Sequence, residues 1–185
     1  QFIGWDEVGG LGSQVEAIKK VVERPLQNPE IMEKYGINPS KGILLYGEPG
    51  CGKTLVAKVI ASTVIGSKEN LTENFFFYLK GGQMLHPYVG MAERQIAEVF
   101  TRAREHFEET GKRAVIYIDE AEAMMPRRGS RRSSDVDTTI VPTFLADMAG
   151  FEDKQALIFL DTNLANSFDS AVTRQGRMNL KTVKI

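Results

Sequence analysis

Cysteine is almost missing from this sequence: Cys51 stands alone among 185 residues. That excludes a disulfide framework and a cysteine-based metal site, and a reducing compartment such as the cytoplasm is the simplest expectation. Charge of one sign is also missing. With 23 basic and 24 acidic residues the formal net charge is −1, which gives no electrostatic case for DNA or RNA as the main ligand. No apolar run approaches the ~20 residues that span a bilayer, and the opening Gln1-Phe2-Ile3-Gly4-Trp5-Asp6 has no basic region or apolar signal core. No membrane partner is expected. There is no initiator methionine, so a fragment of a longer chain is expected, and no internal repeat. The 42% hydrophobic and 25% charged fractions suit one globular domain over residues 1–185.

Strand-like and helix-like segments alternate along that domain. Ser13 is placed to cap a helix running to about Glu23, with Val15, Ile18 and Val22 on one face and Pro25 as its stop. Short apolar runs at 43–46, 75–79, 115–118 and 156–160 read as strands, those at 75–79 and 115–118 as buried ones, and Leu180 to Ile185 supplies a last strand. Between them, Thr54 to Val64 is compatible with a helix. Ile96, Val99, Phe100, Ala103 and Phe107 recur at helical spacing before Gly111, and Thr138 to Ala149 reads as a further helix with Pro142 in its first turn. Mostly apolar strands alternating with helices imply an α/β fold, a parallel sheet covered on both faces.

The strongest chemical signal is Gly47-Glu48-Pro49-Gly50-Cys51-Gly52-Lys53-Thr54, a complete G-x-x-x-x-G-K-[ST] pattern between an apolar strand and a helix. Glycines let successive backbone N–H groups turn inward toward an anion, and the helix that follows contributes its positive end. Lys53 has the reach for β and γ phosphates and the Thr54 hydroxyl is placed for Mg²⁺. The bland alternative is a glycine turn joining a strand to a helix.

A nucleotide-hydrolysing site needs a carboxylate for the water shell of Mg²⁺, and Asp119 at the end of the 115–118 strand fits. Glu120 adds a second carboxylate, suited to orient and deprotonate an attacking water, which implies hydrolysis and not transfer to a small acceptor. One whole strand separates the P-loop from this pair, the order of the P-loop ATPases that carry a catalytic glutamate. Alternatively, Asp119 and Glu120 cap the short helix that follows. Farther on, Asp161-Thr162-Asn163 follows a strand, where an asparagine is more often a turn former. Arg174 and Arg177 flank Gly176 and, read alone, are as compatible with surface arginines.

Taken together, Val8-Gly9-Gly10-Leu11, the P-loop, Tyr88-Val89-Gly90, Ile118-Asp119-Glu120, Thr162-Asn163 and Arg174-x-Gly-Arg177 resemble the AAA+ ATPases of the classical clade, over essentially all of the chain. Tyr88-Val89-Gly90 with Glu93-Arg94, and the run Ser134 to Pro142, are most similar to the actinobacterial proteasome-associated ATPases, which are ring-forming unfoldases. The resemblance implies a P-loop NTPase-type three-layer α/β/α fold with a five-stranded parallel sheet, the large AAA+ subdomain without its helical lid. It implies ATP or ADP and Mg²⁺ as ligands. Val8 and Gly9 would line the adenine pocket, Pro49, Gly50, Cys51, Gly52, Lys53, Thr54 and Leu55 would hold the phosphates, and Thr54 and Asp119 would serve the metal. Glu120, Asn163, Arg174 and Arg177 would be catalytic, Asn163 as a polar sensor and the arginines as fingers reaching a neighbouring subunit's nucleotide. Identical subunits in a hexameric ring follow as partners. Tyr88, Val89 and Gly90 would line the pore and grip an unfolded polypeptide, with the arginine-rich run at 126–134 as a second pore loop and a proteasome core as a possible further partner. Tyr88 packing under its own loop is the alternative there.

The sequence departs from that family at Glu48 (usually Pro), Met91 (usually acidic), Ala149, Leu164 (usually Arg) and Asn179 (usually Asp). The catalytic set is intact while the intersubunit set is eroded. Competing readings are a nucleic-acid or clamp-loader-type remodeller, which the near-neutral charge and Tyr88-Val89-Gly90 disfavour, and a non-hydrolysing ATP-binding scaffold, which Glu120 and Asn163 argue against.

Overall fold

A computed structural model of the chain describes residues 4–27, 31, 34–36, 42–65, 76–84, 91–124, 150, 155–163 and 180–185. Five strands form one sheet: β1 (Gly42–Tyr46), β2 (Phe76–Lys80), β3 (Ala114–Asp119), β4 (Ala156–Thr162) and β5 (Leu180–Lys184). All neighbours pair in parallel, in the order β2-β3-β4-β1-β5. The helices are α1 (Gly12–Gln27), α2 (Lys53–Ile65), α3 (Gly81–Met84), α4 (Met91–Thr110) and α5 (Ala121–Met124), preceded by a single 3-10 turn at Trp5–Glu7. The helix read at Thr138 to Ala149 and the arginine-rich run lie outside the described residues.

Side-chain alternation along the strands explains the layers. Ile43, Leu45, Val115, Tyr117, Leu157, Phe159 and Val183 share one face of the sheet and form a single cluster with Ile18 and Val22 of α1 and Val56, Ala57 and Ile60 of α2. The alternate residues Leu44, Ile116, Ile118, Ile158 and Leu160 are equally buried. On that second side α4, with Ile96, Phe100 and Ala103 fully buried, packs on β3 and β4. Strands buried on both faces need apolar residues at every position, which is why they read as unbroken runs.

Three local expectations are corrected. Ser13 is not the helix cap: Val15 N–H donates to Leu11 O at 2.8 Å, so α1 starts at Gly12, and Ser13 Oγ donates to Gln14 Oε1 instead. Nor does Pro25 stop α1, which continues to Gln27. The 75–79 run is shifted by one residue as β2 and lies at the sheet edge, where Tyr78 is 49% exposed. Gly111 closes α4 as expected, with a left-handed φ of 68° and its N–H bonded to Phe107 O at 2.8 Å.

The strand order also fixes where a ligand can enter. From β1 the chain crosses to β2 at one edge and works back through β3 and β4, then passes over β1 to β5 at the other edge. The adjacent strands β1 and β4 are therefore followed in sequence by strands at opposite edges of the sheet, and their carboxyl ends mark the topological switch point, where a ligand crevice is expected.

Candidate active site

The loop from Gly47 to Gly52 leaves β1 at that crevice and feeds directly into α2. Gly50 and Gly52 have φ of 81° and 97°, a left-handed backbone that β-carbon-bearing residues adopt only with strain. An added Cβ at either would meet nothing within 4 Å, so conformation and not crowding demands glycine there. Gly47 answers a different need: a Cβ there would lie 2.3 Å from the Ile185 carbonyl oxygen, which follows β5. Val56 N–H bonds to Gly52 O at 3.0 Å as the first helical bond of α2. The amides of Lys53, Thr54 and Leu55 then have no acceptor within the helix, the arrangement that suits an anion at a helix start.

Lys53 is only 6% exposed. Its ammonium donates to the Gly47 and Glu48 carbonyls at 3.0 Å each, to Asn163 Oδ1 at 2.8 Å and to Cys51 Sγ at 3.7 Å. Asp161 Oδ1 is a further 3.8 Å away. The P-loop lysine and Asn163, 110 residues apart, thus meet directly, because β1 and β4 are neighbours paired as Leu45↔Asp161 and Tyr46↔Thr162.

Asp119 ends β3, one strand beyond β4, and Glu120 follows it. Asp119 Oδ2 accepts a 2.5 Å hydrogen bond from the Tyr78 hydroxyl of β2. Tyr78 pairs with Tyr117 in the sheet, so the phenol reaches diagonally to the residue two places farther along β3. Burial, then the bond to Asp119 and that carboxylate's charge, push the Tyr78 hydroxyl up to about 12. Glu120 has φ 51°, the left-handed region in a non-glycine residue, and its Oε1 lies 3.3 Å from Lys80 Nζ at the end of β2. α5 begins immediately after it, with Ala123 N–H bonded to Glu120 O at 2.9 Å. Glu120 thus opens a helical turn with its backbone, as the capping alternative expects, while its carboxylate faces Lys80.

Four further residues, not anticipated from sequence, complete the site: Tyr78, Tyr117, Lys80 and Asp161. Tyr117 repeats on β4 what Tyr78 does on β3. Paired with Phe159, it donates a 2.5 Å hydrogen bond to Asp161 Oδ2 two residues on, and its ring stacks on Tyr78 with centroids 5.7 Å apart. Asp161 and Thr162 belong to β4 and are buried, Asp161 at 3% exposure. Burial pushes the Asp161 carboxyl up from 3.8 to about 6, although Tyr117 and Lys53 pull the other way. The clue available in the sequence was the period of two, which puts Tyr117 with Asp119 and Phe159 with Asp161 on one face. Glu122 on α5 receives the Asn163 N–H at Oε1, 3.5 Å away, and its buried Oε2 has no hydrogen-bond partner among the described residues.

The remaining expected site residues divide in two. Val8 packs against the core cluster beside Trp5 and Leu11, and Gly9 is exposed, with nothing within 4 Å of an added Cβ. Tyr88, Val89, Gly90, Arg174 and Arg177 lie outside the described residues, as do Ala149, Leu164 and Asn179, while Met91 opens α4 and is 43% exposed.

The oxygen donors present suit magnesium with a nucleotide. A threonine hydroxyl at a helix start and one strand-end carboxylate are hard ligands, few in number, as expected of an ion that keeps water and phosphate in its shell. Among the described residues no cluster of three or more His, Cys, Asp or Glu forms an all-protein metal site.

Comparison with known proteins agrees with this geometry. Residues 43–184 match the family described as "ATPase family associated with various cellular activities (AAA)". The chain is 44% identical over 185 aligned positions to an "AAA ATPase forming ring-shaped complexes" of Rothia mucilaginosa, covering 97% of this chain and 30% of that protein. It is 42% identical to a "Proteasome-associated ATPase" of Streptomyces scabiei, covering 97% of this chain and 31% of that protein. A Corynebacterium glutamicum "AAA ATPase forming ring-shaped complexes" is 41% identical, with 97% and 34% covered. The chain thus spans about a third of the length of the curated relatives it matches. From the P-loop, the parallel five-stranded sheet and these matches, the chain belongs to the AAA ATPase family.

Proposed function

We propose that this chain is the ATP-binding and hydrolysing large subdomain of a ring-forming protein unfoldase, one that hands polypeptides to a protease such as the proteasome in the cytoplasm. The observation that supports it most is the meeting of Lys53 with Asn163 at 2.8 Å in the crevice beside Asp119 and Glu120. A lysine for phosphate, a polar side chain for water and two consecutive carboxylates at one strand end are the parts that hydrolysis of a phosphoanhydride requires. Similarity to proteins named for ring-shaped complexes and for proteasome association supports the assembly and the destination.

In this reading the backbone from Pro49 to Leu55 cradles the phosphates, and Val8 with Gly9 borders the adenine. Lys53 exchanges the Gly47 and Glu48 carbonyls for phosphate oxygens, a short movement of a long side chain. Thr54 and Asp119 would hold Mg²⁺, which would offset the negative charge of the phosphates. Glu120 takes the proton of the attacking water at its carboxylate. Its ion pair with Lys80 joins two groups that are each 39% exposed, so leaving it costs at most about 1 kcal/mol. Asn163 offers Lys53 its oxygen and keeps its amide N–H₂ for water or phosphate. Arg174 and Arg177 act on the nucleotide of the next identical subunit in a hexamer, and Tyr88, Val89 and Gly90 hold the passing polypeptide. Among the described residues no helix is long and apolar enough to cross a membrane.

ATP turnover by the assembled full-length protein, with and without a permanently unfolded polypeptide, tests this beside Lys53→Ala. Turnover that vanishes in Lys53→Ala and rises with polypeptide is expected. Turnover indifferent to Lys53→Ala would overturn the site, and turnover indifferent to polypeptide would overturn the unfoldase.

A further inference from the structure

We infer that Asp161 sets the nucleotide affinity of this site: its carboxylate, locked by Tyr117 and facing Lys53, competes with phosphate for the lysine's charge. The inference rests on the reading of the crevice as a nucleotide site and adds a residue that weakens binding there.

Three observations carry it. First, the carboxylate is fixed. Asp161 is the sixth of seven buried β4 residues, in register with Leu45 of β1, and Tyr117 holds Oδ2 at 2.5 Å. Its other oxygen, Oδ1, faces Lys53 Nζ at 3.8 Å. Second, the pair is dry. The two side chains are 6% and 4% exposed, so salt and water screen their interaction little. Third, the negative charge is surplus to the hydrogen bonding of Lys53. An ammonium has three N–H donors, and the Gly47 and Glu48 carbonyls with Asn163 Oδ1 already provide three oxygen acceptors within 3.0 Å. Asp161 therefore contributes counter-charge more than a bond. Counter-charge is what an arriving phosphate also provides, and a fixed anion beside the lysine repels that phosphate.

Replacing the carboxylate with its neutral isostere keeps the shape and an acceptor for Tyr117 while removing the charge. Two like charges about 6 Å apart at an effective dielectric near 20 change an affinity by roughly a hundredfold, and mobile solvent around the phosphates lowers this, so at least about tenfold is expected. The experiment is calorimetric titration of the 185-residue chain with ADP and ATP for the parent, Asp161→Asn and Lys53→Ala. Inorganic tripolyphosphate as a competitor isolates the phosphate contribution.

Asp161→Asn is expected to bind all three at least about tenfold tighter than the parent, and Lys53→Ala to lose binding. Tightening separates this role from a structural one, since loosening the site would weaken binding. Equal or weaker binding by folded Asp161→Asn, with the parent binding normally, overturns the inference alone. Absence of binding by both parent and variant overturns the nucleotide-site reading and the inference with it. Should Asp161→Asn not fold, Asp161→Ser carries the same expectation and the same refutation.

Discussion

Asp161 makes stability depend on pH in a direction opposite to that of most carboxylates. Its carboxyl sits at about 6 in the folded chain against 3.8 when free, with burial as the main cause and the charges of Asp119 and Glu122 adding to it. The folded state therefore holds a proton more tightly than the unfolded state, and stability falls as pH rises from about 4 to about 6. At neutral pH the ionised group costs the fold about 3 kcal/mol, taking 1.36 kcal/mol for each tenfold change in proton affinity. Asp161→Asn removes this dependence. An opposing contribution comes from Lys53, which loses a charged partner, and breaking a buried ion pair by removing one side commonly costs about 3–5 kcal/mol. Here the pair is 3.8 Å apart and Lys53 keeps three oxygen acceptors, so that cost is reduced, and it is nearly constant with pH in any case. The pH-dependent part is the clean signal. Urea unfolding of parent and Asp161→Asn at pH 4.5, 5.5 and 7 is expected to show the variant gaining about 2 kcal/mol relative to the parent across that range. A difference that stays flat, or one that shifts in the parent's favour as pH rises, would refute the argument that burial outweighs the lysine.

Other expectations concern the loop, the base and the pore. Lys53→Ala should weaken ATP binding at least about a hundredfold by calorimetry, whereas Glu120→Gln should bind as the parent does and lose about 10²–10⁴ in turnover, since one group meets charge and the other moves a proton. Loss of binding in a folded Glu120→Gln would count against Glu120 as the base. Gly47→Ala puts a methyl 2.3 Å from the Ile185 carbonyl oxygen, so the end of β5 must shift, and urea unfolding should show a loss of about 1–3 kcal/mol. In the full-length ring, Tyr88→Ala should leave turnover within a few-fold while stopping the unfolding of a tagged fluorescent substrate, because a methyl gives too little surface to hold a sliding chain. Unfolding at the parental rate would make Tyr88 a packing residue.

The fold was legible where sequence pattern and burial coincide. Strands apolar at every position could only be central in a covered parallel sheet, and β1, β3 and β4 occupy its three inner places. β2 was misjudged as buried for the same reason in reverse: its aromatic residues face a core on one side, yet an edge strand leaves Tyr78 half in solvent. The P-loop, Asp119 and Glu120 were visible because their chemistry is tied to local spacing, whereas Asn163 stood out only through the family resemblance. Asp161 was not visible, since a charged residue after five apolar ones resembles a strand end, and only the pairing of β4 with β1 shows that the strand continues through it. Tyr78 and Tyr117 were hidden as well. An aromatic in an apolar run reads as packing, and its hydroxyl acquires a partner only when a neighbouring strand brings a carboxylate within diagonal reach.

With Glu120 as the proposed base, its left-handed backbone, with φ at 51°, sets durability against chemistry at a single codon. Such a conformation costs a residue bearing a β-carbon about 1–2 kcal/mol, and glycine is the one replacement that escapes it. Mutant libraries sorted for heat resistance alone would therefore enrich Glu120→Gly and discard the carboxylate, while sorting for turnover would hold it in place. A lineage retaining glutamate at this position against that gradient carries a record of selection for hydrolysis.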